Sequence, residues 1–505
     1  MLKLTIPEAR SDLKLERIEN SKGYRVIDTR GAQRVGLDVL SAAILAELDR
    51  PITHVKLVNA LKQRLGANVR AEHVFRRLHW INQQSLLVGP RSAHYLRRVE
   101  AAKFRPKVPE NNEHLPFEFV SELRHECQAC GGCCSGTDVG PLSAEVVERI
   151  RKEDWTQLDG FRDGLPLFRV VHDETGTYTF TSNFKDACAF LQTDRLCAIH
   201  SRLGVENKPP ICRQFPYLFT KTPAGTLAVS LQTECRAWLK AKSAGTPPEY
   251  QQQMLRELLR AGAIVRTVTE PVCVRPGVFL SWDEYMALEG KLLSSLDHHH
   301  PIDGGVVAEA HVRECADLVE TPFAEFEKFL EPEAWTQFGA TTWDYDHADT
   351  KRKRDVEAVR QTFLQALNDE LDSNAQEFAA AGRQLESMRF VQLKRAIVTA
   401  LTDHDVLYRR LPASELDEVA RDAWRASIFA KDLLRYNSVT VGLAVLRLQI
   451  CATIAHAMLR ARDSSRLHVE PRDAVDSAVL VTKMLRQRSV SAFLRHQSDS
   501  VLLLF

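Results

Sequence analysis

The sequence predicts a mainly α protein in three parts. These are an N-terminal winged-helix-like α+β unit (1–105), an irregular cysteine-rich domain (106–245) and a C-terminal helical domain (246–505). Three observations predict it. Two strand patterns followed by three helical ones fill the first hundred residues. Eight of the eleven cysteines crowd between Cys127 and Cys235. Apolar residues then recur at helical spacing through most of the remaining chain.

At 505 residues the chain is too long for one compact unit. Its 44 % apolar and 26 % charged composition is that of a globular protein and excludes a fibre or a disordered chain. A net charge of +1 excludes a global field drawing the molecule to nucleic acid or membrane. The N-terminus, MLKLTIPEARSDLKL, lacks the apolar core of a signal peptide, so the expected compartment is the cytoplasm. The most apolar stretch, Val439 to Leu459, is interrupted by Arg447, Gln449 and His456 and reads as a buried helix, with no membrane partner expected.

In the first part, Leu13 to Ile18 and Tyr24 to Asp28 read as strands around a turn at Ser21-Lys22-Gly23. Asp38 is a candidate N-cap for a helix carrying Leu40, Ile44 and Leu48. Thr53 is the candidate cap of a second helix with Val55, Val58, Leu61 and Leu65, stopped by Gly66. Val74, Leu78 and Ile81 mark a third, followed by a short strand at Leu86-Leu87-Val88. This run, LDVLSAAILAELDRPITHVKLVNALKQRLG followed by AEHVFRRLHWINQQSLL, resembles the PqqD-like peptide-recognition domain, although Ser85 replaces the usual Gly before Leu86-Leu87. The resemblance implies a unit that holds a peptide against its edge strand. A structural cap and a DNA-binding unit are the alternatives. Residues 1–110 hold 21 Lys/Arg against 11 Asp/Glu, and residues 303–386 hold 8 against 19. The basic residues are scattered and form no stripe with aromatics, so nucleic acid is not the expected partner.

The second part opens after the polar linker Phe104 to Pro116. In a reducing compartment a cysteine cluster points to metal before disulfide. Its core is Cys127-Gln-Ala-Cys130-Gly-Gly-Cys133-Cys134. Two residues between cysteines let a tight turn aim both thiolates at one metal. The third cysteine at the same interval copies the start of the bacterial ferredoxin run, and Gly131 and Gly132 let the backbone bend around a bulky cofactor. In extended backbone Cys133 and Cys134 point opposite ways, one to a first centre and the other to a second centre or the core. Cys188 and Cys197 bracket a hairpin-like segment turning at Thr193-Asp194. Cys212 lies in a Pro209-Pro210 segment expected to be extended, and Cys235 closes the set.

One four-cysteine site leaves four thiols over, and two sites use all eight. At least one iron–sulfur cluster, of 4Fe-4S type, is favoured by the glycine-rich triple spacing. One or two closed zinc sites are the first alternative, and disulfides or free core thiols the second. Arg213 is a candidate to offset thiolate charge, or else a surface ion pair. His200 is a candidate outer-shell histidine, with a packing histidine the plainer reading. His298-His299-His300 reads as an exposed loop, Trp335, Trp343 and Tyr345 as packing, and Cys451 as core.

The order CxxCxxCC … CxFLxxxxLCxIHxxLGxxxxPxxCRxFP looks like the YkgJ-type cysteine-cluster domain, a zinc- or iron-chelating domain. Besides the cysteines, Phe190, Leu191, Ile199, His200, Leu203, Gly204, Pro209, Arg213, Phe215 and Pro216 carry it. The combination of LCxIHxxLG with a long helical C-terminal region is similar to flagellin lysine N-methylases of the FliB type. That resemblance implies an iron–sulfur cluster, S-adenosylmethionine and a protein or peptide substrate, flagellin-like in that family. The added N-terminal unit and the narrower cysteine spacing depart from it. No G-x-G-x-x-G fingerprint is present, so any donor site would be built around the cluster. Non-enzymatic zinc binding and an electron-transfer or maturation role are the other classes of function.

The third part carries helical spacing over Tyr250 to Val268, Val356 to Leu371, Glu386 to Leu401, Leu416 to Leu434, Val439 to Arg462 and Asp473 to Leu485. Ser281-Trp282-Asp283-Glu284-Tyr285, followed by Leu288-Glu289, looks like the connecting helix of the flagellin lysine N-methylase family.

Overall fold

A computed structural model describes residues 4–18, 23–31, 34–106, 108–120, 124–135, 139–156, 158, 166–173, 176–184, 187–237, 245–275, 277–298, 307–312, 314–315, 348–402, 414–436 and 438–496. His299, His300, Trp335, Trp343 and Tyr345 lie outside these residues. The protein is mainly α with small sheets. The chain divides into two compact units. One comprises residues 1–106, 269–288 and 312–357, the other 107–268, 289–311 and 358–505.

The first unit is built on a three-stranded antiparallel sheet, Leu13–Arg17, Tyr24–Asp28 and Arg34–Leu37, in that order. Helices Val39–Glu47, His54–Leu65 and Ala71–Gln83 close over a core that includes Ile44, Leu57, Leu61, Phe75, Leu78 and Ile81, all fully buried. Burying such side chains is worth about 1.5–3 kcal/mol each. Asp38 caps the first helix, accepting the Ser41 N–H at 2.7 Å. Gly66 ends the second with φ 105°, a conformation that costs glycine little.

Two local expectations change. Thr53 precedes its helix but makes no side-chain cap; Ile52–Thr53 pairs instead with Thr5–Ile6. Leu86-Leu87-Val88 is not a strand but touches the chain at Ala9 through one bridge. Ser85 turns left-handed just before it (φ 59°), and Pro90 starts helix Pro90–Lys103 just after, leaving no room for a ladder. That last helix and strand Arg34–Leu37 are additions to the predicted elements.

The second unit holds the cysteines. Its four-stranded sheet runs Val265–Thr267, Tyr217–Lys221, Leu227–Leu231, Phe117–Phe119, antiparallel in the middle and parallel at both sides. The expected helix Tyr250 to Val268 stops at Arg260. Gly262 takes φ 81°, and β-branched Val265 and Thr267 then join the sheet. Helices Gln384–Thr402, Ser414–Phe429, Val439–Asp463 and Pro471–Leu485 form a bundle beside it. Ser230 and Thr220 bind the sheet to the bundle, donating to the Ala426 and Ala430 carbonyls at 2.9 and 3.0 Å.

Helix Val439–Asp463 is long and apolar enough to cross a bilayer, but 89 % of its most apolar window is buried inside the protein. It is the central helix of the bundle, and Cys451 lies in the core there. Gly442 lets it pass the Leu433 backbone, which a β-carbon at this position would overlap.

Lys431 and Glu289 form an ion pair, both side chains nearly inaccessible. Breaking such a pair leaves a buried charge and costs about 3–5 kcal/mol. Glu289→Gln is therefore expected to lower unfolding stability by about 3 kcal/mol in urea titrations, and the double change to Met at both positions is expected to recover most of it.

Candidate metal centre

Five of the eight clustered cysteines line one cavity of about 190 Å³: Cys133, Cys134, Cys188, Cys197 and Cys212. Four local devices deliver them. Cys133 and Cys134 sit on a single 3-10 turn, Gly132–Cys134, entered from left-handed Gly131 (φ 67°). The expectation that the two would point opposite ways fails for this reason. A 3-10 turn separates neighbouring side chains by about 120° rather than the 180° of a strand. Both sulfurs therefore reach the same cavity, 3.8 Å apart.

Cys188 ends the short strand pair Asn183–Phe184 and Ala187–Cys188, its thiol 3.5 Å from the Thr181 hydroxyl. A tight loop follows, closed by Gln192 N–H to the Leu196 carbonyl (2.9 Å) and by a bridge between Leu191 and Cys197. Asp194 accepts the Leu196 N–H and Arg195 is left-handed (φ 66°), the hairpin-like turn that the sequence suggested. Cys197 then stands at the N-terminus of helix Ala198–Leu203. Cys212 lies within the short helix Pro210–Gln214 rather than in extended chain. Proline suits the first position of a helix, where no N–H is needed, so Pro210 starts the turn that Cys212 occupies.

Behind the sulfurs the wall is apolar. Phe190 is fully buried, packed edge-on against Trp155 with ring centres 5.1 Å apart, and Ile199 and Ile211 complete it. The polar members are two lysines, Lys208 and Lys483, with Thr181, Gln232 and Glu234. Lys483, from helix Pro471–Leu485, donates to the Gly132 and Ser135 carbonyls, both at 2.7 Å. It thus grips the cysteine turn on both sides. Glu234 brings negative charge to the cavity, but Arg486 binds it through both oxygens at 2.8 and 2.9 Å.

The electrostatics divide the thiols. The Cys134 thiol beside it, then the Lys208 and Lys483 charges, draw the exposed Cys133 down to about 6. Donating to Cys133, together with burial, holds the Cys134 proton firmly. Burial pushes Cys188 up to about 11, and burial with the nearby Cys188 raises Cys212 further. A cation entering the cavity reverses these upward shifts, because thiolates bound to metal are deprotonated outright.

The other candidates fall elsewhere. Cys127 and Cys130, exposed like Cys133, do not line the cavity; Cys235 is buried near Tyr217. His200 is exposed on its helix, away from the cavity. Arg213 faces away too, donating to the Ala261 carbonyl at 2.8 Å. Sequence reasoning missed Lys208 and Lys483. Lys208 precedes Pro209 by one residue and was within reach of a reading of charges near cysteines. Lys483 had no local signal. Among the described residues, no three His, Cys, Asp or Glu side chains converge on one point as a ready single-ion site.

Residues 126–236 match the family model CxxCxxCC, described as "Putative zinc- or iron-chelating domain". The match spans all five cavity cysteines and the exposed Cys127 and Cys130, but not Lys483, and it supports metal binding by this region. No curated protein and no solved structure matches the chain.

Lys483→Met removes both carbonyl contacts and a charge. The expected loss is about 2–3 kcal/mol in stability, with faster protease cleavage near Gly131-Gly132. Digestion at equal rates in variant and parent would show that the grip does not hold the turn.

Proposed function

We propose that the cavity holds an iron–sulfur cluster, with Cys133, Cys188, Cys197 and Cys212 as ligands and Cys134 as a thiol donor to the bound sulfur of Cys133. The observation that carries this is five sulfurs spread around about 190 Å³ rather than drawn to a point. A water needs only about 10–15 Å³ of such space, and a lone metal ion less. A multi-atom cluster suits the room, the dry Phe190 wall and the two lysines. Four thiolates around a 2+ core carry a net −2, and Lys208 and Lys483 offset it while Arg486 neutralises Glu234. The cluster would supply electron-accepting and electron-donating capacity. The chain's own residues would bind it, exclude water and tune it through hydrogen bonds to sulfur.

Zinc is the second reading, and one distance favours it. Thiolates about 2.3 Å from a tetrahedral ion stand about 3.8 Å apart, the separation of the Cys133 and Cys134 sulfurs. Methyl transfer from S-adenosylmethionine to a lysine rests on the sequence resemblance to flagellin lysine N-methylases. It needs an iron free of thiolate, and four thiolate ligands leave none. In a polypeptide-modifying role the N-terminal unit would recruit the substrate at strand Leu13–Arg17, which pairs on one side only among the described residues.

Anaerobic purification with iron, sulfide and zinc assays on one sample tests the reading. The expected result is a brown protein with a band near about 400 nm and matched iron and sulfide. Cys188→Ser is expected to lose the band, and Cys134→Ser to keep it while shifting the midpoint potential. Stoichiometric zinc with no iron, even after reconstitution, would replace the cluster by closed zinc sites. A band that moves on adding S-adenosylmethionine would restore the methyl-donor role.

A further inference from the structure

A smaller cavity, of about 60 Å³, lies in the helical bundle and shares no lining residue with the cysteine cavity. A water needs about 10–15 Å³ of such space, so there is room for a group of several heavy atoms. Three residues of its lining, Ser427, Tyr436 and Ser491, carry hydroxyls with no hydrogen-bond partner among the described residues. Ser427 is only 4 % exposed. An unpaired hydroxyl at such a depth costs about 1–3 kcal/mol, and a bound polar group would recover it. Charge selects the sign of that group. Asp432 and Glu234 are met by Arg266, Arg435 and Arg486, three guanidiniums against two carboxylates. Arg486 is spent on both carboxylates, and Arg266 holds Asp432 at 3.2 Å. Arg435 is the surplus cation. It comes no nearer to Asp432 than 3.5 Å, is 46 % exposed, and lines the cavity. The first turn of helix Val439–Asp463 reaches the cavity at Gly442, so the positive end of a 25-residue helix dipole adjoins it.

We infer that this cavity is a binding site for a phosphate-class oxyanion, held by Arg435 and by the hydroxyls of Ser427, Tyr436 and Ser491. Arg435 supplies a charge-assisted N–H and the hydroxyls supply neutral donors. Four donor groups suit the oxygens of a tetrahedral anion, whereas a carboxylate offers only two. Asp432 also lines the cavity, but Arg266 and Arg486 already answer its charge. The half-exposed Arg435 links the cavity to solvent. A phosphoryl group can therefore enter there as the free ion or as the end of a larger molecule that stays outside. The site binds without making or breaking a covalent bond, and it does not depend on what the cysteine cavity holds.

The test is calorimetric titration of the full-length protein with inorganic phosphate, at an ionic strength fixed with chloride. One saturable site is expected, and a thermal unfolding midpoint that rises with phosphate concentration. Arg435→Met is expected to weaken binding at least about tenfold, since it removes the charge-assisted donor. Ser427→Ala is expected to weaken it about threefold or more. Its midpoint without phosphate is expected to equal or exceed the parent's, because the hydroxyl gives up no bond within the protein. Glycerol phosphate separates the two sources: equal affinity assigns the phosphoryl group of a larger molecule, and weaker affinity assigns the free ion. No saturable heat in the parent, or an equal midpoint rise with acetate, overturns the site. Equal affinity in parent and Arg435→Met also overturns it. A signal abolished by prior removal of metal with a chelator assigns the phosphate to the metal centre, which overturns this site and leaves that centre standing.

Discussion

Gathering sulfur donors in one place sets thiolate against thiolate, and the second unit is arranged around that repulsion. Without a cation, burial and mutual charge hold most of the cavity thiols protonated. The Lys208 and Lys483 ammonium groups are the protein's own contribution against it. Lys483 also ties two carbonyls of the cysteine turn, so one side chain serves charge and geometry together. A neutral residue of the same length would leave the turn's carbonyls without that partner and the thiolates without that charge.

The polar frame extends outward from there. Arg486 sits one helical turn from Lys483 and takes Glu234 on one side and Asp432 on the other. Asp432 in turn accepts Arg266 at 3.2 Å from the edge strand of the sheet. Charges of both signs alternate from cavity to sheet edge, each buried group answered by its neighbour. The helical bundle is therefore more than a scaffold placed beside the cysteine region. It provides the countercharges.

Much of this was legible in the sequence where the signal was local. Asp38 capping, the Gly66 stop and the long helices follow from spacing that short-range physics fixes. The cysteine cluster and its turn at Asp194 were legible for the same reason. The misreadings came where two local rules competed. Prolines at 209 and 210 favour extended chain before them but also open helices, and the second rule prevailed at Cys212. Apolar spacing from Tyr250 to Val268 suggested one helix, but Gly262 and the β-branched residues after it favoured a strand once a partner was available. The division of thiols between cavity and surface was not legible at all. It depends on the 3-10 turn and on Lys483, about 350 positions away in the chain.

That separation has a temporal side. A chain synthesised as far as Glu470 already carries all eight clustered thiols, the apolar wall and Lys208. It lacks helix Pro471–Leu485 and with it the Lys483 grip on the turn. Thiols exposed in such a partial product stay open to oxidation or to the wrong ion. The order of emergence from the ribosome thus brings the Lys483 grip on the cysteine turn last, after every sulfur it helps to hold.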